Sequence, residues 1–144
     1  MKKRIPIVLL SILSLMVFAR AIRPWTEDEM RNASDLIMVG TVAKVTDLDE
    51  TNTTLWYGFE FRGVETTFNV SKVLKGKISD HEIVLHHYRF TKYTPKNGPS
   101  FLNLVVNATN QYLLYLAKDG TNRFAPVSGQ IDPAVDAVKE LSEK

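Results

Sequence analysis

The sequence predicts a mainly β domain, a small barrel of five or six strands with a short helix at each end. Stretches of alternating apolar and polar residues, separated by turn residues, indicate the strands. In the stretch 65–77 the alternation slips by one after Val70, because the next apolar residues are Val73 and Leu74. A β-bulge causes such a slip and bends a strand. Gly40, within the first apolar stretch, indicates a second bend.

The first 21 residues are predicted to be a secretory signal peptide. A basic segment at 2–4 is followed by an apolar run at 5–18 and by the small-x-small sequence at 19–21, which is the order found in signal peptides. The apolar run of about 14 residues is shorter than the roughly 20 that cross a bilayer. We therefore expect cleavage between Ala21 and Ile22 and a secreted or periplasmic protein. An uncleaved anchor is the alternative.

Removal of the signal peptide changes the charge of the chain. The full sequence has 18 Lys and Arg against 16 Asp and Glu. Four of the bases and none of the acids lie in the signal peptide, so the remaining 14 bases and 16 acids give a net charge of −2. This balance removes the compositional argument for a nucleic-acid partner. The mature chain, residues 22–144, has the length of a single domain.

Cysteine is absent from the sequence, which excludes disulfides and thiol chemistry. A small exported eukaryotic domain often carries disulfides, so the absence favours a bacterial exported protein. Asparagines of N-x-S/T sequons stand at four positions: Asn32, Asn52, Asn69 and Asn107. They are glycosylation sites only if the protein is eukaryotic. In a bacterial protein the spacing is coincidental.

A short helix is predicted over residues 27–33. Thr26 and Glu29 have the spacing of a capping box, and Trp25 and Met30 occupy the positions of a hydrophobic staple. Acidic residues crowd the first turn, where the helix dipole stabilises them.

Apolar patterns predict six strands, at residues 36–45, 55–61, 64–75, 82–90, 111–118 and 123–129. Polar and turn residues predict a loop at 47–54, a tight turn at Arg62-Gly63, a long connection at 91–110 and a turn at Asp119-Gly120. Pro126 places the last strand towards an edge of the sheet.

A second helix is predicted to begin at Pro133. Asp132 stands at the capping position, and proline is favoured at the first helical position. Ala134, Ala137, Val138 and Leu141 follow with the spacing of one helical stripe, and Asp132 precedes them as the cap.

The order of three motifs resembles a known family. A helix leading into ASDLIMVGTVAKV, a strand ending in FNVSKVLKG and a later YLLYL resemble the netrin-module and TIMP-like branch of the OB-fold family. The resemblance covers residues 25–141, and the C-terminal part is similar to small exported bacterial proteins of this kind. It implies a partly open, five-stranded Greek-key barrel.

The same resemblance bears on activity. Metalloproteinase inhibitors of the TIMP-like group chelate the protease zinc through a mature N-terminal cysteine. Here Ile22 is the expected first residue and cysteine is absent. Inhibition through the N-terminal edge is therefore kept only as an alternative.

No residue pattern predicts catalysis, a metal or a cofactor. His86 and His87 are adjacent in a predicted strand, so they point to opposite faces and do not share a metal, and zinc needs three or four converging ligands. Ser128 is followed but not preceded by the glycines of a nucleophile elbow. We expect a turn there, and a protein that is not an enzyme.

One stretch, residues 86–96, is a weak candidate for binding. Its aromatic and basic side chains interleave: Tyr88, Arg89, Phe90, Lys92, Tyr93 and Lys96. On an OB-fold such side chains stack against rings and hold an anionic backbone. The alternative is a set of barrel aromatics that lead into a solvated loop.

The sequence as a whole predicts an exported, non-catalytic binding or interaction module without a cofactor. The expected partner is another extracytoplasmic protein. The alternatives are a protease inhibitor and a binder of an oligosaccharide or anionic polymer through residues 86–96. Nucleic acid is disfavoured, and no transmembrane segment is expected in the mature chain.

Overall fold

The computed structural model describes residues 23–92, 96–132 and 134–141. Helix α1 spans Glu27–Ala33 and helix α2 spans Ala134–Ala137. The strands are β1 (Leu36–Asn52), β2 (Phe61–Lys75), β3 (Glu82–Phe90), β4 (Asn107–Lys118), β5 (Arg123–Pro126) and β6 (Val138–Leu141). The predicted signal peptide and its cleavage site at Ala21 and Ile22 lie outside the described residues. Within the described part of the chain, no helix is long and apolar enough to cross a membrane.

The six strands form one sheet in the order β1-β2-β3-β5-β4-β6, and β1 also pairs with β4. Five strands therefore close into a ring, and β6 lies beside β4. The β3–β5 pair is parallel, and the other pairs are antiparallel. The predicted mainly β class is confirmed, as are the bounds of the strand predicted over 82–90.

Helix α1 begins as the sequence predicts. The backbone N–H of Glu29 donates to the Thr26 hydroxyl at 3.2 Å, and the Thr26 N–H donates to the Glu29 carboxylate at 2.9 Å. These two bonds form the reciprocal capping box. Trp25 packs against the small buried cluster that contains Met30, Ile37 and Tyr115, so the staple fastens α1 to the outer face of β1 and β4.

The bulge predicted after Val70 is present. Val39 pairs with Lys72 and Gly40 pairs with Val70, which leaves Ser71 as the extra residue of β2. The Ser71 hydroxyl donates to the Val39 carbonyl at 3.0 Å. A Cβ on Gly40 would lie 2.5 Å from the Asn69 carbonyl oxygen. Glycine is required there because the two backbones approach so closely.

Strand β2 ends against the corner between α1 and β1. The Lys75 ammonium donates to the carbonyl of Arg31 at 2.7 Å and caps the C-terminal end of α1. Gly76 has φ +86, and a Cβ there would lie 2.3 Å from the Asp35 carbonyl oxygen. The Lys-Gly pair therefore fixes where the strand stops.

The main core lies between the strands of the ring. All six strands and the β3–β4 connection contribute to it: Leu36, Met38, Val42, Phe68, Ile83, Leu85, Leu102, Leu104, Tyr112, Leu114, Leu116, Phe124 and Val138. Burial of apolar surface stabilises a fold by roughly 25 cal/mol per Å². The first half of β1 supplies residues to both clusters, since Leu36 and Met38 face the main core and Ile37 faces α1.

Three predictions between residues 47 and 63 are wrong. The expected loop at 47–54 is strand as far as Asn52, the expected strand at 55–61 is mostly turn, and Arg62-Gly63 lies within β2 instead of forming a turn. The polar residues of β1 stay in the ladder because Thr51 and Asn52 pair with β2.

The apolar alternation at 55–61 arises from aromatic rings that pack on one another in a turn. Trp56 and Phe59 have ring centroids 4.9 Å apart. Tyr57 and Gly58 have positive φ angles of 45 and 75, which no regular strand contains. The Asn52 side chain accepts from the Thr54 N–H at 2.8 Å and begins the turn.

The C-terminal half of the chain differs from the prediction at four elements. Strand β4 begins at Asn107, inside the predicted connection, and β5 ends at Pro126, before the predicted residue 129. The helix expected from Pro133 is only the four residues of α2, and Val138–Leu141 form β6 because their backbone pairs with β4 from Leu114 to Gln111. Strand β5 is not at an edge, since it lies between β3 and β4. Pro126 is its last residue.

Candidate functional site

Two arginines face each other across the β2–β3 pair. Arg62 and Arg89 are direct partners in the antiparallel register, so their side chains project from the same face of the sheet. Both are exposed. Like charges directly opposite each other destabilise a strand pair. The like charges of the two side chains therefore oppose each other, and the ion pair of Arg89 with Asp47 offsets part of this repulsion.

Both arginines line a surface depression of about 340 Å³, which we call the basic depression. Its lining residues are Arg62, Arg89, Phe90, Thr91, Lys92, Phe101 and Asn103. The volume is at the small end of the range for ligand sites. The lining combines three cations, two phenyl rings, a hydroxyl and an amide.

Aromatic packing fixes the position of Phe90 in the basic depression. Its ring stacks on the fully buried Phe61 with centroids 4.4 Å apart, and Phe101 contacts it edge-on at 5.3 Å. Phe59 and Trp56 contact it edge-on from the β1–β2 turn, each at 6.3 Å. Stacked and edge-on aromatic pairs add stability beyond their buried area, so the neighbouring cations stand on a fixed scaffold.

The charge of the basic depression is only partly neutralised. Arg89 forms an ion pair with Asp47 of β1. Arg62 and Lys92 form no ion pair with any other described residue. Two of its cations therefore have no ion-pair partner among the described residues, and the third is held by an exposed carboxylate.

Asp47 borders another register irregularity between β1 and β2, which we call the second bulge. Asp47 pairs with Val64 and Thr51 pairs with Arg62, so three residues of β1 stand opposite the single Gly63. The third of these residues, Glu50, lies across Gly63, where an added Cβ would come within 3.0 Å of the Glu50 carboxylate.

Glu50 belongs to a polar network beside the basic depression. Its carboxylate bonds His86 Nε2 at 3.2 Å and accepts from the Tyr88 hydroxyl. His86 Nδ1 lies 3.2 Å from the carboxylate of Asp119. The Tyr88 bond is the main cause of a lowered pKa at the Glu50 carboxyl, and burial raises the pKa of Tyr88.

The six predicted binding residues separate into two groups. Arg89, Phe90 and Lys92 line the basic depression together. Tyr88 is 7% exposed and is bonded to Glu50. Lys96 is exposed but does not line the depression, and Tyr93 lies outside the described residues.

Sequence reasoning missed Arg62, Phe101 and Asn103. Arg62 was assigned to a turn, where its partner on the next strand is not defined. A pairing of 61–69 with 82–90, both of which alternate, would have placed it opposite Arg89. Phe101 and Asn103 lie in an irregular connection, which has no periodicity to place them.

The two adjacent histidines of β3 are buried and have different polar partners. His86 and His87 are both buried. His87 Nε2 bonds the Thr66 hydroxyl at 2.9 Å, and burial lowers the pKa of His87 to about 4. Among the described residues, no group of three or more His, Asp or Glu side chains is arranged to hold a metal ion. Ser128 lies in the turn after β5, which agrees with the expected turn and not with the strand predicted over 123–129.

The four sequon asparagines differ in exposure. Asn32 and Asn69 are exposed, whereas Asn52 and Asn107 are partly buried. Asn107 accepts from the Thr109 N–H at 2.8 Å, as Asn52 does from Thr54. These two asparagines thus form turns of their own backbone. Their glycosylation stays a prediction.

A scan against models of known protein families found no match to this chain, and neither did a search of curated proteins. The resemblance to the TIMP-like family therefore stays a prediction. The side chains of the basic depression are the basis on which a function is proposed.

Proposed function

We propose that this chain is an exported, non-catalytic binding module of the OB-fold, TIMP-like type, and that its basic depression binds an anionic oligosaccharide or polymer. The pairing of Arg62 with Arg89 carries the proposal. This proposal differs from the sequence-based prediction, in which the expected partner is another extracytoplasmic protein.

The energetics of the arginine pair support an anionic ligand. Arg62 and Arg89 stand directly opposite each other, so their charges repel when the site is empty, and Asp47 offsets this repulsion only at Arg89. An acid group between them removes the repulsion, and each guanidinium can hold it through two parallel hydrogen bonds. The repulsion in the free state is thus exchanged for attraction in the bound state.

The phenyl rings support a ring-shaped unit such as a sugar. Phe90 and Phe101 both line the basic depression and are half-buried, and the parts of their rings that stay exposed suit contact with the apolar face of a sugar ring. The Asn103 amide can donate to and accept from hydroxyl groups. A single small anion would contact the cations and make no use of the exposed parts of the rings.

Inhibition of a protease through the N-terminal edge would use Ile22, which lies outside the described residues, and it stays a prediction.

Binding to a panel of polymers tests the proposal. The full chain is expressed and purified from the extracytoplasmic fraction, and its affinity is measured for oligogalacturonate, polyphosphate and neutral dextran. We expect binding to the polyanions that weakens as salt rises from about 50 to 200 mM, because counterions are displaced. The R62Q/R89Q variant is expected to lose about tenfold or more in affinity.

The matched control is K72Q/K77Q, which removes two exposed bases near the other end of β2, one within the strand and one just after it. It is expected to lose less than about threefold, since only the long-range field changes. Equal losses in the two double variants, or no binding of either polyanion, would overturn the proposal.

A further inference from the structure

A second depression adjoins the basic depression. It has a volume of about 270 Å³ and is lined by Gly58, Phe59 and Glu60 together with Phe90–Lys92. The residues Phe90, Thr91 and Lys92 line both depressions. They form a shared wall, and a chain molecule that fills one depression reaches the other across it.

Hydrogen bonds and aromatic contacts with neighbouring residues hold the shared wall in place. The Thr91 backbone N–H donates to the Glu60 carbonyl at 3.3 Å, and the Thr91 hydroxyl donates to the same carbonyl at 3.1 Å. Phe90 is held by its aromatic neighbours on both sides. The two depressions therefore keep a fixed relation to each other.

The charges of the two depressions differ. The basic depression has three cations and no acid among its described lining residues. The second has one acid, Glu60, and one cation, the shared Lys92. A second acidic unit would meet the Glu60 carboxylate and be repelled, whereas the hydroxyl groups of a neutral sugar can donate to it.

We propose that the two depressions are consecutive subsites for a polysaccharide in which acidic and neutral sugars alternate. The carboxylated sugar lies between Arg62 and Arg89, and the neutral sugar lies against Phe59 and Glu60. A carboxylate suits the first subsite because Arg89 already holds the carboxylate of Asp47. This inference rests on the proposed function and specifies the order of units along its ligand.

The test compares two acidic oligosaccharides of equal length. Hyaluronan oligosaccharides alternate a uronic acid with a neutral amino-sugar derivative, and oligogalacturonate has an acid on every unit. The full chain is expected to bind the hyaluronan probe about fivefold or more tightly than oligogalacturonate, although hyaluronan has half the charge. Polyphosphate is measured beside them as a polyanion without sugar rings.

Substitution of Glu60 provides the decisive variant. Glu60 is exposed, so E60Q and E60K should fold, which circular dichroism and thermal melting check. E60Q is expected to reduce the preference for hyaluronan, and E60K is expected to reverse it, because a cation in the second subsite attracts a second acid. E82Q removes an exposed acid at the start of β3 and should leave the preference unchanged.

The outcomes separate this inference from the proposed function. If oligogalacturonate or polyphosphate binds more tightly than hyaluronan and E60K leaves the ratio unchanged, the alternating subsites are wrong. Dependence of that binding on Arg62 and Arg89 would still support the anionic site. If none of the three probes binds, both proposals fail.

Discussion

The β1–β2 pair has four register irregularities, and two of them, the first bulge at Ser71 and the second bulge at residues 48–50, resemble each other in structure and differ in what they contact. In each, a glycine of one strand faces extra residues of the other. At the first, Ser71 is extra opposite Gly40, and the close neighbours are backbone and core atoms. At the second, three residues of β1 stand opposite Gly63, and the close neighbour is the Glu50 carboxylate.

The difference lies in what each bulge places on the sheet. The first bends the strands around the core and brings the end of β2 to α1. The second brings Asp47 to Arg89 and Glu50 to His86 and Tyr88. The first bulge therefore shapes the ring of strands, and the second positions side chains next to the candidate site.

Alanine at the two glycines tests this comparison with the largest expected effect. G40A is expected to lower the free energy of unfolding by about 3 kcal/mol, because the new Cβ meets backbone that cannot move aside. G63A is expected to lower it by about 1 kcal/mol, because the end of the Glu50 side chain can shift. Urea denaturation measures both.

G63A should also release the contacts of Glu50, and G40A should leave them intact in the folded fraction. Chemical shifts of the His86 ring follow this change. Equal losses of stability in the two variants would mean that the second bulge is as rigid as the first.

The pH dependence of stability gives a second test, because His87 lies next to His86, which contacts Glu50 of the second bulge. Burial, aided by the charges of His86 and Arg89, lowers the pKa of His87 from 6.5 to about 4. The unfolded chain binds this proton more readily, so stability is full above pH 6.5 and falls as the pH drops towards 4. The loss reaches about 3 kcal/mol at pH 4.

H87Q keeps a polar partner for the Thr66 hydroxyl and removes the titration. Its free energy of unfolding, measured against pH, should fall less steeply than that of the parent between pH 6.5 and 4. Carboxylates titrate in both proteins, so the difference between the two curves isolates His87. Parallel curves would show that His87 is not held neutral.

Glu50 tests the second bulge directly. E50Q is expected to lower the free energy of unfolding by about 1 kcal/mol at pH 7, because the Tyr88 hydroxyl and the His86 ring lose a charged acceptor. Glu50 has a lowered pKa in the folded protein, so this stabilisation is present above pH 4.5 and is lost as the pH falls below it. The parent and E50Q should therefore converge in acid.

The neighbouring substitution D49N is the control for E50Q. Asp49 is exposed, and its change is expected to stay within about 0.5 kcal/mol. A loss as large as that of E50Q would point to the general charge of the bulge and not to the contact with His86.

How much the sequence predicts differs between the two bulges. The first left a trace in the apolar alternation, because the bulge shifts the next apolar residues after Val70 to Val73 and Leu74. In the structure both of these side chains are exposed, so the trace indicated the bulge and not the core. The capping box and staple of α1 were likewise readable, because they depend on residues three to five positions apart.

The second bulge left no such trace. Its residues are polar, so their pattern does not change when the register shifts. The contacts that give it meaning join residues 36 to 42 positions apart along the chain. Only part of the basic depression could be predicted from the sequence. Arg89, Phe90 and Lys92 lie close together along the chain, whereas Arg62 lies beside them only because β2 pairs with β3.

The smallest predicted effect is a gain. In D47N the second bulge no longer holds Arg89 by an ion pair, so the third cation of the basic depression becomes available. We expect the affinity for an acidic oligosaccharide to rise about two- to fivefold, since the pair is exposed and such pairs contribute at most about 1 kcal/mol. D49N removes the same charge from the same bulge without touching Arg89 and should change the affinity less. A comparable rise in both variants would assign the gain to net charge, and a fall in D47N would mean that Asp47 positions Arg89 for the ligand instead of competing with it.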